Sequence, residues 1–364
     1  MSDDLAEKYQ QQLDEKTNKV IGLLNPFYHS DIDIYPSQPT HFRMRAEFRI
    51  WHDGADSYHI MFDKVDKEQY RVDQLEAASE IINTGMALMT SAFKGNEILR
   101  KKLFQVDYLS TLTDELLITL VYHKALDQIW EEEIKQLKAA IPANLKINFI
   151  GRSKKQKVML DNDFVIEELL INDKTYQFKQ IENSFTQPNA KVNCNMIEWS
   201  MAQVNDNSKD LLELYCGAGN FSVPLASCFK KVLATEISKT SVNAAQFNIA
   251  TNNVDNLTIV RLSSEEFVEA ITGVRAFRRL KDIDLKAYDF STVLVDPPRA
   301  GIDDKTITFI QQFDRIIYIS CNPLTLADNL QTLCLTHEIK RAAIFDQFPF
   351  TEHVESGVYL QRRL

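Results

Sequence analysis

No apolar stretch in this 364-residue chain approaches the roughly 20 residues that a membrane-spanning helix needs, and Leu116–Val121 is among the longest. No membrane partner is therefore expected. The opening Met-Ser-Asp-Asp-Leu-Ala-Glu-Lys is polar and acidic, unlike a secretory or transit leader, so a cytoplasmic location is the expectation. Cysteine is sparse: Cys194, Cys216, Cys228, Cys321 and Cys334 are odd in number and form no close pairs. That spacing suits neither a disulfide framework nor a zinc or iron–sulfur cluster, so reduced thiols and no metal are expected. A basic surplus is also missing. Lys and Arg total 41 against 51 Asp and Glu, a formal charge of −10, which disfavours promiscuous nucleic-acid binding. A nucleic acid would have to dock on local clusters, of which Arg43/Arg45/Arg49, Arg152/Lys154/Lys155/Lys157 and Arg275/Arg278/Arg279/Lys281 stand out. Internal repeats, low-complexity tracts and long linkers are absent.

What is present divides into two styles. Residues 3–24 read as a partly amphipathic helix ending near Pro26. His41–Trp51 then alternates with period two, placing Phe42, Met44, Ala46, Phe48 and Ile50 on one face and Arg43, Arg45, Glu47, Arg49 and Trp51 on the other. The Asp53-Gly54 turn joins it to Tyr58–Phe62 as a hairpin. An arginine face beside an aromatic suits phosphate pairing and base stacking; a solvated outer sheet face is the alternative. Helices over 74–93 and 125–140, a hairpin over 105–122 and strands at 145–150 and 157–160 complete an α+β region, residues 1–180. From 181 to 364 the style changes. After a helix over 190–204, strands at 211–215, 231–235, 257–261, 291–295, 315–320, 341–346 and 357–361 alternate with helices. This is the pattern of a doubly wound, mostly parallel sheet, with the last two strands close enough to pair antiparallel.

Ligands of such sheets gather beyond the carboxyl ends of the strands. The β-branched and aromatic run Ile316–Ile319 leads to Cys321 and then Pro323, which cannot continue a ladder. A thiol at a strand tip is placed to meet a substrate; an inert buried cysteine is the alternative. The strand over 211–215 runs into Tyr215-Cys-Gly-Ala-Gly-Asn220 and a helix, a turn in which glycines permit close backbone approach. Glu236 closes the next strand, where a carboxylate accepts hydrogen bonds from ribose hydroxyls. An adenosine-containing ligand fits both features, and Ser222 in place of a third glycine weakens a dinucleotide reading. Asp296-Pro-Pro-Arg299 ends a later strand in a rigid turn that holds the carboxylate at its tip. Near the C-terminus, Asp346, Glu352, His353 and Glu355 supply candidate proton carriers.

Nearly end to end, the chain resembles the RNA 5-methyluridine methyltransferases, specifically the bacterial tRNA (uracil-5-)-methyltransferase family. The resemblance rests on HFRMRAEFRIWHDG, ENSFTQPN, LLELYCGAGNFS, VLATEIS, VDPPRAG, YISCNP and FDQFPFTEHVE. It implies an α/β fold: a C-terminal Rossmann-like S-adenosylmethionine (SAM)-dependent methyltransferase domain, 181–364, with an N-terminal α+β RNA-binding domain, 1–180. It implies SAM as cofactor, the T loop of tRNA as substrate, and 5-methyluridine as product. By the same likeness Cys321 is the nucleophile and Glu355 the base, while Gln187, Tyr215, Asn220, Glu236 and Asp296 contact SAM. Arg299 stands where amino-methylating relatives carry an aromatic, and the Asp296 motif lacks the cysteine of RNA cytosine-5 methyltransferases, so uracil is the implied base. Phe350 stands where relatives often carry Tyr, His or Gln. The rRNA-modifying relatives carry an N-terminal iron–sulfur cysteine cluster that is missing here, which favours tRNA. A monomer is expected. A methyltransferase acting on rRNA or another T-loop-like RNA, a non-catalytic RNA-binding or tRNA-folding protein, and a Rossmann oxidoreductase are the alternatives.

Overall fold

The computed structural model describes residues 3–63, 65–204 and 208–363. It divides into two compact units. The first comprises the chain through Pro39, Leu169–Lys179 and everything from Lys191; the second comprises Thr40–Glu168 and Gln180–Ala190. A single boundary near residue 180, expected from the sequence, is not where the chain divides. The opening segment belongs with the C-terminal sheet, because its apolar stripe finds its covering surface there.

That stripe lies on the helix Asp3–Leu24, whose Tyr9, Leu13, Val20 and Leu24 are buried at helical spacing. Val20 and Leu24 join the core beneath the helices Asp304–Ile310 and Pro323–Leu333. The chain then adds a short strand, Asp33–Tyr35, to the sheet edge, parallel to Ala343–Phe345. No local sequence signal marks this strand, since its partner lies three hundred residues away in sequence.

The first unit's sheet has eight strands. From one edge the order is Asp33–Tyr35, His337–Phe345, Glu355–Arg362, Arg315–Ser320, Phe290–Val295, Asp210–Leu214, Lys231–Thr235 and Leu257–Val260. Every neighbouring pair is parallel except the two involving Glu355–Arg362. This is the mostly parallel sheet with an antiparallel last strand that the sequence pattern implies. Central strands such as Asp210–Leu214 are buried along their whole length, which explains their continuous apolar runs.

The second unit is built on a seven-stranded sheet ordered Gln69–Arg71, Asp56–Phe62, Arg45–Asp53, Leu103–Ser110, Glu115–Tyr122, Lys146–Ser153 and Gln156–Met159. Phe48, Ile50, Val106, Tyr108 and Leu120 pack with Ile82, Met86 and Phe93 of the helix Glu80–Phe93 and with Trp130 of Gln128–Ala140. The alternation of His41–Trp51 holds, but its arginines do not act alike. Arg43 precedes the strand, is half-buried and donates to the Arg45 carbonyl at 2.7 Å; burial lowers its basicity. Arg45 donates to the Ser184 carbonyl at 2.6 Å and pairs with Glu47. Only Arg49 is exposed, its guanidinium 5.1 Å from the Phe104 ring centre. In the second basic cluster, Arg152 is bidentate to Glu182 and Lys157 pairs with Asp163. Much of the cationic patterning thus stabilises the unit itself. No described helix is long and apolar enough to cross a membrane.

Candidate active site

The first unit gathers its chemistry at the tips of three adjacent strands. Arg315–Ser320 pairs antiparallel with Glu355–Arg362, and Ser320 lies opposite Ser356. The next residue on one strand is Cys321, and the preceding residue on the other is Glu355. Phe290–Val295 flanks Arg315–Ser320 on its other side and ends at Asp296.

Local structure fixes each group. Pro323, at the first turn of the helix Pro323–Leu333, needs no N–H partner, and the Asn322 side chain caps that helix by accepting from the Leu324 N–H at 3.2 Å. Cys321 therefore sits between a strand end and a helix N-terminus. Asn322 Nδ2 and Thr325 Oγ1 donate to the Arg299 carbonyl at 3.3 and 3.4 Å, locking the two turns together. Gly301 has φ +82°, and a Cβ there would lie 3.0 Å from Asn329 Oδ1, so the turn after Asp296 needs glycine.

Cys321 feels the charges of Glu355 and Asp296, and Glu355 feels that of Asp296. Desolvation, then the negative charges of Glu355 and Asp296, push the Cys321 thiol up to about 11; Arg299 pulls the other way. Burial and then Asp296 hold the Glu355 carboxyl well above its ordinary range. Desolvation alone raises Asp296 to about 7. One cluster thus holds a proton-bearing thiol and two carboxyls whose ionised forms oppose each other. Glu352 is exposed, and Asp346, although fully buried, is ion-paired with Lys16 at 2.6 Å. Of the acids near the C-terminus, Glu355 is the one in the cluster.

Across the sheet, the turn after Asp210–Leu214 passes through three residues of positive φ: Tyr215 (63°), Gly217 (56°) and Gly219 (82°). For tyrosine this conformation is strained. Its hydroxyl accepts from Ser264 Oγ at 2.7 Å while its ring packs on the core. Glu236 accepts from the Gly217 and Ser238 N–H groups at 3.0 and 2.6 Å. A Cβ on Gly217 would meet nothing within 4 Å, so open space lies over that backbone. Each Glu236 oxygen keeps a further lone pair for a donor. An open loop backed by a half-buried carboxylate fits a ribose diol, so these residues suit an adenosine ligand. Asn220 exchanges a reciprocal pair of amide hydrogen bonds with Asn193, both 2.8 Å. Gln187 belongs to the other unit, in Gln180–Ala190.

Two residues escaped sequence reasoning. Asn193 carries no motif of its own and is recognisable only by its contact with Asn220. Glu213 is fully buried in its strand, accepts from Ser222 Oγ and is lifted by desolvation to about 8. Ser222, at the third-glycine position of a dinucleotide fingerprint, donates to one oxygen of this acid.

Residues 8–363 match the sequence profile of the tRNA (Uracil-5-)-methyltransferase family. The chain is 55% identical over 363 residues to the tRNA/tmRNA (uracil-C(5))-methyltransferase of Actinobacillus succinogenes, covering 98% of each chain. It is 57% identical over 355 residues to the protein of the same name from Pseudoalteromonas atlantica, covering 98% of this chain and 97% of that one. Among solved structures, the Pyrococcus abyssi tRNA (uracil-54, C5)-methyltransferase in complex with S-adenosyl-L-homocysteine superposes with a TM-score of 0.74 at 21% identity, over 97% of this chain and 83% of that one. The last likeness concerns the fold. The sequence match along nearly the whole length decides the family: the chain is a member of the tRNA (uracil-5-)-methyltransferases.

Proposed function

We propose that this protein methylates C5 of a uridine in the T loop of tRNA, working as a cytoplasmic monomer. The observation that carries the reading is the pairing register that sets Cys321 and Glu355 side by side at the strand tips, with Asp296 on the next strand.

Carbon 5 of uracil is a weak nucleophile. Cys321, as thiolate, bonds to C6, and the electrons of the C5–C6 double bond move toward the C4 carbonyl, leaving C5 nucleophilic. When bound, SAM supplies an electrophilic methyl group. The residues assigned to hold it are Tyr215, Asn220, Glu236 and Asp296, with Gln187 added by family likeness. Glu355 then takes the C5 proton, the double bond re-forms, and Cys321 leaves C6. Glu355 acts as the carboxylate, and burial, which raises its pKa, makes that carboxylate a stronger base for the C5 proton. The raised Cys321 thiol gives its proton to solvent before it bonds to C6, because Glu355 has to be ionised when it takes the C5 proton. A looped RNA lowers the cost of unstacking the target uridine. The second unit is assigned to RNA binding, with Arg49 and the exposed Trp51 as its contacts.

The test is incubation with methyl-labelled SAM and tRNA lacking the modification, followed by digestion and nucleoside analysis. Label in 5-methyluridine from the T loop is the expected result. Label in another nucleoside, or in rRNA but not tRNA, overturns it.

A further inference from the structure

The loop between His337–Phe345 and Glu355–Arg362 carries Glu355 at its far end. Its first residue, Asp346, directly follows Phe345, which is the strand partner of Glu355. Lys16 Nζ donates to Asp346 Oδ1 at 2.6 Å and to the Phe348 carbonyl at 2.8 Å. One helical turn earlier, Gln12 Nε2 donates to Asp346 Oδ2 at 2.9 Å, and Gln12 Oε1 accepts from the Phe350 N–H at 3.3 Å. Tyr9, three residues before Gln12, meets the Phe350 ring edge-on at 5.9 Å. Phe350 has φ +58°, a strained conformation for an aromatic residue. Three alternate loop residues, 346, 348 and 350, are thus held by one face of the helix Asp3–Leu24.

Lys16 is 5% exposed and Asp346 is fully buried. Burying such a pair costs desolvation that a well-packed apolar pair avoids, so stability alone is a weak reason for it. What directed charge-assisted bonds add is a single loop geometry.

We propose that Lys16, assisted by Gln12, is a positioning residue for C5 proton removal: where sheet pairing sets the Glu355 backbone beside Cys321, Lys16 fixes through Asp346 the loop that leads into Glu355, and so the orientation of its carboxyl toward C5. This rests on the reading of Glu355 as the base.

The test compares Lys16→Met, Lys16→Arg and Gln12→Ala with wild type and with Glu355→Gln. Gln12→Ala is included because it strands no buried charge and so keeps the test open if Lys16→Met fails to fold. Each variant is assayed well below its melting temperature for kcat, for KM towards tRNA and SAM, and for protein–RNA adduct surviving a denaturing gel. Misplacing a catalytic group by about 1 Å costs on the order of a hundredfold. The expected result is that kcat falls at least about tenfold in Lys16→Met and less in Gln12→Ala, that both KM values stay within about twofold, that adduct accumulates, and that Lys16→Arg recovers part of the rate. Normal kcat and no excess adduct in the folded helix variants, beside a clear Glu355→Gln adduct, overturns the positioning role alone. Absence of adduct in Glu355→Gln overturns the base assignment on which it rests.

Discussion

Cys321 and Glu355 flank the last paired position, Ser320 opposite Ser356, of two antiparallel strands. Their proximity is therefore a property of sheet register, the most strongly specified relation in a buried sheet. A one-residue slip of either strand would turn its side chains to the opposite face and dismantle the site.

The first prediction separates their steps. Cys321→Ala should give no adduct and no methylated product while still binding tRNA and SAM. Glu355→Gln should add to the uridine, stall before elimination and leave a band that resists denaturing electrophoresis. Exposed Glu352 is the control, and Glu352→Gln should turn over without lasting adduct. Reversal of the two glutamate results would move the base to Glu352.

Thiol reactivity should follow the electrostatics. With Cys321 raised to about 11 by burial and the charges of Glu355 and Asp296, its alkylation in the free enzyme should be slow near neutrality and rise toward pH 11. Removing one negative neighbour lowers a thiol pKa, so Glu355→Gln should shift the profile to lower pH. Peptide mass spectrometry of iodoacetamide-treated protein reads this out. An unshifted profile would mean that Glu355 does not face the thiol.

Glu236→Ala should weaken SAM binding by about 1–3 kcal/mol, the scale of lost charge-assisted hydrogen bonds. It also releases the Gly217 and Ser238 amides, so the loop should loosen even without ligand. Calorimetry returning wild-type affinity would remove Glu236 from the site.

The arginines should part company. Arg49→Gln should weaken tRNA binding and lower the salt slope by about one, as one phosphate contact is lost. Arg43→Gln should instead lower the melting temperature, because Arg43 is half-buried and bonded to the Arg45 carbonyl. An unchanged salt slope for Arg49→Gln would return that face to a solvated role.

Glu213 makes stability depend on pH. Its carboxyl binds a proton more tightly folded, at about 8, than unfolded, at the ordinary value near 4.5. Its contribution is therefore full below pH 4.5 and is lost as pH rises through about 8. Glu213→Gln should flatten this part of the melting-temperature profile, raising stability at pH 8 relative to pH 6. Equal profiles would show that Glu213 stays ionised in the fold.

Much of the fold was legible in local patterning. Period-two alternation marked the hairpin at 41–62, and regular strand–helix alternation marked the parallel sheet, because both are local periodicities imposed by burial of one face or two. Cys321 and Asp296 were legible because neighbouring prolines mark strand tips, and Glu236 because it ends the strand that follows the glycine turn. Tertiary structure alone decided the rest. The strand Asp33–Tyr35 and the helix Asp3–Leu24 join the C-terminal sheet through contacts with residues more than three hundred positions away, which no local pattern encodes. Glu355 and Glu352 look alike in sequence; burial beside Cys321 distinguishes one from the other, because desolvation depends on what packs around a side chain. Arg43 and Arg45 read as a nucleic-acid face, yet carbonyl and carboxylate partners bind them within the unit. A charged side chain's role depends on which partner reaches it first, and that is settled by the fold.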